Sequence, residues 1–148
     1  MSDTILKIIP TSPLYIPDSL SEKKCSVYLE EIFVGNNVEI VRTKEIEFID
    51  QGENFDGVFC NICNEEIDME YWQDKMDEAY QHGFKQLEFI SPCCNSVSNL
   101  NSLNYDQPAG FAKFCIQITN PDKDLSDENL SRLQTILKTP LKTIWARY

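Results

Sequence analysis

Thr4-Ile5-Leu6-Lys7-Ile8-Ile9, followed by Asp18-Ser19-Leu20 and closed by Val38-Glu39-Ile40-Val41, is the stretch whose reading decides the fold. The first six residues are short, apolar and mostly β-branched, and Pro10, Pro13 and Pro17 punctuate the chain after them, so they predict a strand and then a loop. Asp18 or Ser19 has the side chain of a helix N-cap. From there Leu20, Lys24, Val27, Tyr28, Glu31 and Ile32 recur at a 3.6-residue period until Gly35. Residues 38–41 resume as a strand, and the first forty residues therefore predict β-α-β.

The end of the chain repeats the pattern. Phe114-Cys115-Ile116-Gln117-Ile118-Thr119 reads as a strand, and Asn120-Pro121 as its exit. Ser126 or Asp127 caps a helix that carries Leu130, Leu133, Ile136 and Leu137 on one face, Thr139-Pro140 stops it, and residues 141–148 alternate as a last strand. Each half also places a Thr-x-Pro, at Thr11-Ser12-Pro13 and Thr119-Asn120-Pro121, between its first strand and its helix. Two β-α-β units predict an α+β ferredoxin-like sandwich, four antiparallel strands against two helices. On this reading residues 1–148 are a single domain, with 45–110 a zinc-binding helix and hairpin inserted between the halves. The competing expectation is a single mixed sheet without repeat symmetry.

At 148 residues and 42% apolar content the chain can bury a core without further staples. Its formal charge is −11, from 24 acidic against 13 basic residues. That balance repels phosphate backbones and anionic lipid headgroups, so nucleic acid and membrane surfaces are poor partners and a basic protein is a better one. The early prolines and Lys7 do not fit a secretory signal, which sets the expectation of a cytoplasmic protein with reduced thiols. In that setting a Cys-x-x-Cys is read first as a metal or redox site.

Cys60-Asn61-Ile62-Cys63 has the form of a zinc knuckle, in which a sharp turn aims two thiolates at one point. Tetrahedral zinc needs a second pair, and Pro92-Cys93-Cys94-Asn95 supplies it. Adjacent side chains on an extended strand point to opposite faces, so both Cys93 and Cys94 reach one ion only if the backbone turns there. Pro92 before and Asn95-Ser96 after favour such a turn. The expected ligands are Cys60, Cys63, Cys93 and Cys94, with His82 or a water as substitute for one of the pair. A redox role is less favoured because the helix begins later, near Asp68, rather than at the Cys-x-x-Cys. An open catalytic zinc would need a carboxylate beside its water.

Cys25 and Cys115 read as buried, inert thiols. Glu65, Glu66, Asp68, Glu70, Asp74, Asp77 and Glu78 stand along one helix whose apolar face is Ile67, Trp72, Met76, Ala79 and Tyr80. The early carboxylates and the terminal His82-Gly83 are helix construction, and the full run is also a candidate face for a basic partner. The Asn- and Ser-rich run 94–110 is expected to be a long connection satisfying its own backbone; a binding role would gather Asn99, Asn101, Tyr105 and Asp106 around a ligand. No phosphate-cradling loop and no nucleophile elbow occurs.

Cys60-x-x-Cys63, Tyr71-Trp72 with Met76-Asp77 and Ala79, Pro92-Cys93-Cys94, Ser102-Leu103-Asn104, Pro108-Ala109-Gly110-Phe111-Ala112-x-Phe114, Asn120-Pro121 and Trp145-Ala146-x-Tyr148 resemble a bacterial family of uncharacterised proteins. The resemblance implies a bacterial source and two zinc-binding pairs, and no activity. Where that pattern has Pro and Gly around the knuckle and Trp before Pro108, this chain has Asn61, Asn64 and Gln107. The combined expectation is a zinc-stabilised acidic protein-interaction module, of inhibitor or immunity type, more a binder than an enzyme. The alternative is a small metal-dependent enzyme or small-molecule binder using residues 95–110. Neither reading fixes an oligomeric state.

Overall fold

The computed structural model describes residues 3–148. In chain order its elements are β1 (Thr4–Pro10), α1 (Ser19–Ile32), β2 (Asn37–Ile49), β3 (Val58–Phe59), α2 (Met69–Gln81), β4 (Glu88–Ile90), β5 (Val97–Asn99), β6 (Asn104–Tyr105), β7 (Gly110–Thr119), α3 (Asp127–Leu137) and β8 (Leu141–Arg147). The protein is thus α+β, with one four-stranded sheet in the order β2-β7-β1-β8 and two small two-stranded sheets, β3-β6 and β4-β5. All three ladders of the main sheet are antiparallel, which rules against the competing mixed sheet. The reason lies in the crossovers: α1 carries the chain from β1 past β7 to β2, and α3 carries it from β7 past β1 to β8, so parallel strands never meet.

One face of this sheet is roofed by α1 and α3. Leu6 and Ile8 of β1 and Phe114, Ile116 and Ile118 of β7 pack against Cys25, Leu29, Leu133 and Leu137. The buried stripe of α1 is Ser21, Cys25 and Leu29, four residues apart, which corrects the face read from the sequence. Leu20 and Val27 point outward, 63% and 50% exposed. The stripe includes the small polar Ser21, so apolar character alone misplaced it. The caps are as expected: Asp18 accepts from the Ser21 N–H at 2.8 Å and Ser126 from the Asn129 N–H at 3.1 Å. Ser126→Ala leaves that helix N–H without its acceptor and should cost about 1 kcal/mol, measurable as a lower urea midpoint at unchanged slope.

On the opposite face Ile9, Ala112, Cys115 and Ile144 form a smaller cluster. Beside it Lys7, only 5% exposed, donates to the Asp50 carboxylate at 3.2 Å and to the Tyr148 hydroxyl at 2.7 Å. Burial opposes the ammonium charge, but Tyr148 and Asp50 outweigh it and hold the Lys7 pKa above its ordinary value. A lysine within an apolar strand is tolerated because its charge is met.

Strand β2 runs on to Ile49, well past residue 41, so position 45 lies inside a strand. Its pairing with β7 shifts register between Arg42 and Glu47 and resumes to end at Ile49↔Gly110. The chain between those two residues builds a second core from Val58, Cys60, Ile67, Trp72, Ala79, Phe84, Phe89, Leu100 and Tyr105, closed by Phe111 from β7. Trp72 Nε1 donates to the Tyr105 hydroxyl at 3.3 Å, which donates to the Leu100 carbonyl at 2.7 Å. Helix α2 ends as expected, with Gly83 at φ +64° and the Phe84 N–H returning to the Ala79 carbonyl at 2.8 Å. Tyr80 leaves its predicted face, being 69% exposed. No helix among the described residues is long and apolar enough to cross a membrane.

Candidate metal centre

Two short hairpin loops carry the cysteines. In the first, Phe59 bridges to Glu66, the Cys60 N–H donates to the Glu65 carbonyl at 2.9 Å, and the Asn64 N–H donates to the Cys60 carbonyl at 3.0 Å. In the second, Ile90 pairs with Val97, the Ser91 N–H donates to the Ser96 carbonyl at 2.9 Å, and the Asn95 N–H donates to the Ser91 carbonyl at 2.9 Å. Asn64 and Asn95 occupy the left-handed region at φ 66° and 60°. Asn tolerates that conformation better than other residues with a Cβ, and this is the turn that lets neighbouring Cys93 and Cys94 face one point.

The four sulfurs of Cys60, Cys63, Cys93 and Cys94 all lie within 4.8 Å of one another, a set that could hold a metal ion. Cys60 Sγ stands 3.9 Å from Cys94 Sγ, and Cys63 Sγ 2.9 Å from Cys93 Sγ. A tetrahedron with metal–sulfur bonds near 2.3 Å has sulfur–sulfur edges of about 3.8 Å, which the Cys60–Cys94 separation matches, while Cys63 and Cys93 stand closer together than such an edge. Cys60 is buried, Cys94 half-buried, and Cys63 and Cys93 exposed, which places one side of the set toward solvent.

The protons on this set are unevenly held. Burial opposes ionisation of Cys60, yet the Ser91 hydroxyl at 3.2 Å and the Ile62 N–H at 3.4 Å bring its pKa down to about 6. Contact with Cys93 pushes Cys63 up to about 12. Cys94 is lowered, chiefly through Ser96. Such close sulfurs cannot all carry negative charge unless a cation sits among them. Four soft donors so placed could hold a metal ion, which would offset their charge.

The remaining candidates stand apart. His82 caps the C-terminus of α2, exposed. Cys25 and Cys115 are buried, with pKa values raised by desolvation to about 12, as inert thiols should be. The residues expected to form a ligand loop are not gathered into one site. Asn99 Oδ1 accepts from the Asn101 N–H at 2.8 Å, and Tyr105 is locked in the core. The run 94–110 is mostly connection, as expected, interrupted by the short strands β5 and β6. The seven carboxylates from Glu65 to Glu78 are all exposed.

The residue that sequence reading missed is Ser91, fully buried, with its hydroxyl 3.2 Å from Cys60 Sγ and 3.0 Å from Cys93 Sγ. The available signal was its place, immediately before Pro92-Cys93-Cys94 at the start of the turn. No family model, no curated protein and no solved structure is significantly similar to the chain. The geometry of the four thiols is what bears on their role.

Proposed function

We propose that the chain is a zinc-stabilised, acidic protein-interaction module on a ferredoxin-like scaffold, taking a basic protein as partner in the manner of an inhibitor or immunity-type antagonist. The observation that carries the metal reading is the convergence of four sulfurs to within 4.8 Å of one another. All-thiolate ligation of a d¹⁰ ion is the usual form of a structural zinc site, because no position remains open for substrate or water. The split order β2-β7-β1-β8, with a helix after β1 and another after β7, supports the scaffold. The partner is inferred from sign: seven exposed carboxylates on the 65–78 segment face a single Lys75, which meets only Glu78, at 3.4 Å. A basic surface would relieve that repulsion and be steered toward it.

Elemental analysis of the purified chain should give one zinc per molecule, and Cys→Ser at Cys60, Cys63, Cys93 or Cys94 should each lower the zinc retained against a chelator. For the partner, binding of a lysine-rich peptide at low salt should weaken with added salt and fall further in Asp74→Asn/Asp77→Asn/Glu78→Gln. Equal binding by parent and neutralised chain would remove the acidic face from the account and leave the metal site standing.

A further inference from the structure

The two loops of the metal centre are one turn built twice. Residue for residue, at a separation of 31, Cys60 corresponds to Ser91 and Cys63 to Cys94. Both copies share the flanking β-bridge, the i to i+5 and i to i+4 backbone hydrogen bonds, and the left-handed Asn, as Phe59↔Glu66 with Asn64 and Ile90↔Val97 with Asn95. In the first copy, positions one and four carry the thiols. In the second, position four is Cys94 as expected, while position one is a serine and the missing sulfur comes from position three, Cys93, where the first copy has Ile62.

From this we infer that Ser91 occupies the vacated first-ligand position of the second loop as a positioning residue, its single hydroxyl hydrogen shared between the metal-bound sulfurs of Cys60 and Cys93, with Cys93 as substitute ligand. The inference rests on the metal reading of the four thiols. Three observations support it. Ser91 is 0% exposed, so its hydroxyl has no water to turn to. Its two neighbours are ligand sulfurs, at 3.2 and 3.0 Å. A metal-bound thiolate has no hydrogen to give, so the serine must be the donor. A neutral hydroxyl is also a far poorer zinc ligand than a thiolate, which is why a displaced cysteine is needed at all. Hydrogen bonds of this kind orient ligands and draw charge from them, and losing one typically weakens metal binding by roughly 10- to 100-fold.

Co²⁺, whose thiolate charge-transfer and ligand-field bands report donor type and number, is the probe, added to the full-length chain. The parent should take up one Co²⁺ with a four-thiolate spectrum. Ser91→Ala should keep four thiolates but shift the charge-transfer band and release metal to a chelator roughly 10- to 100-fold faster, and Ser91→Thr, which keeps the hydroxyl, should restore both. Cys93→Ser should lose one thiolate, and Ser91→Cys/Cys93→Ser should regain it by moving the sulfur to position one. An unshifted band with unchanged release in Ser91→Ala overturns the positioning role. If Ser91→Ala does not fold, the double variant decides: a three-thiolate spectrum from it overturns the equivalence of the loops. A parent that takes up no Co²⁺ overturns the metal reading and this inference together, which separates that failure from the others.

Discussion

Stripping the metal-loaded protein with a chelator is expected to release the 58–105 segment from fixed structure while the four-stranded sheet stays folded. The small ladders explain why. Strands β3 and β6 share two rungs and β4 and β5 share three, and isolated ladders of that length are at best marginal in water. What aligns them is the convergence of both turns on one point. Structural thiolate zinc contributes on the order of 10 kcal/mol of apparent binding energy, which is folding energy where no site exists beforehand. Amide exchange should show the effect residue by residue: the N–H groups of Cys60, Asn64, Ser91 and Asn95 lose protection on chelation, whereas those of β1 and β7 keep theirs. Uniform loss across the chain, or no change at the turns, would contradict the assignment of the ion to these four sulfurs.

Phe111→Ala should destabilise the protein by roughly 3–5 kcal/mol, the cost of deleting a fully buried aromatic ring and leaving its cavity. Phe111 is 0% exposed, with its ring centroid 5.2 Å from Phe48 and 5.2 Å from Phe84. Its position makes it more than one core residue among many. It stands on β7 in the main sheet yet packs into the second core, so its loss should also uncouple the two. Chemical unfolding followed by tryptophan emission reads both: Trp72 reports the second core and Trp145 the helix-covered face. Two separated transitions in Phe111→Ala/Trp145→Phe and Phe111→Ala/Trp72→Phe, against one shared midpoint in the single-tryptophan parents, is the expected result.

The elements that local chemistry dictates were legible. Asp18 and Ser126 announce their helices, Pro140 ends the last one, and the mostly apolar hexapeptide at residue 4 is a strand because its β-branched side chains favour extended backbone. The four thiols were legible too, since Cys-x-x-Cys and Cys-Cys each need a partner pair. Features set by tertiary fit were not. The inner stripe of α1 runs through Ser21, Cys25 and Leu29, and two of these three are not the bulky apolar residues by which a buried face is recognised. The tail of β2 beyond residue 41 is a strand only because β7 pairs with it, and its many charges hid it. Asn99 and Tyr105 were invisible as strand residues because each sits in a ladder too short to show a period. Ser91 was hidden for another reason: a serine where a cysteine is expected looks like an absence, and only backbone hydrogen bonds reveal the repeated turn.

The rung at Ile49↔Gly110, where the main sheet is left and rejoined, has an evolutionary consequence. Both ends of the excursion stand side by side on adjacent strands, so about sixty residues could be gained, lost or exchanged in one genetic event without rewiring any of the four strands. The central segment is in this sense a cassette, and a metal held by its four thiols would help it keep its shape on arrival. The host must then supply the doorway and the few side chains, Ile46 and Phe111 among them, that close the core behind it.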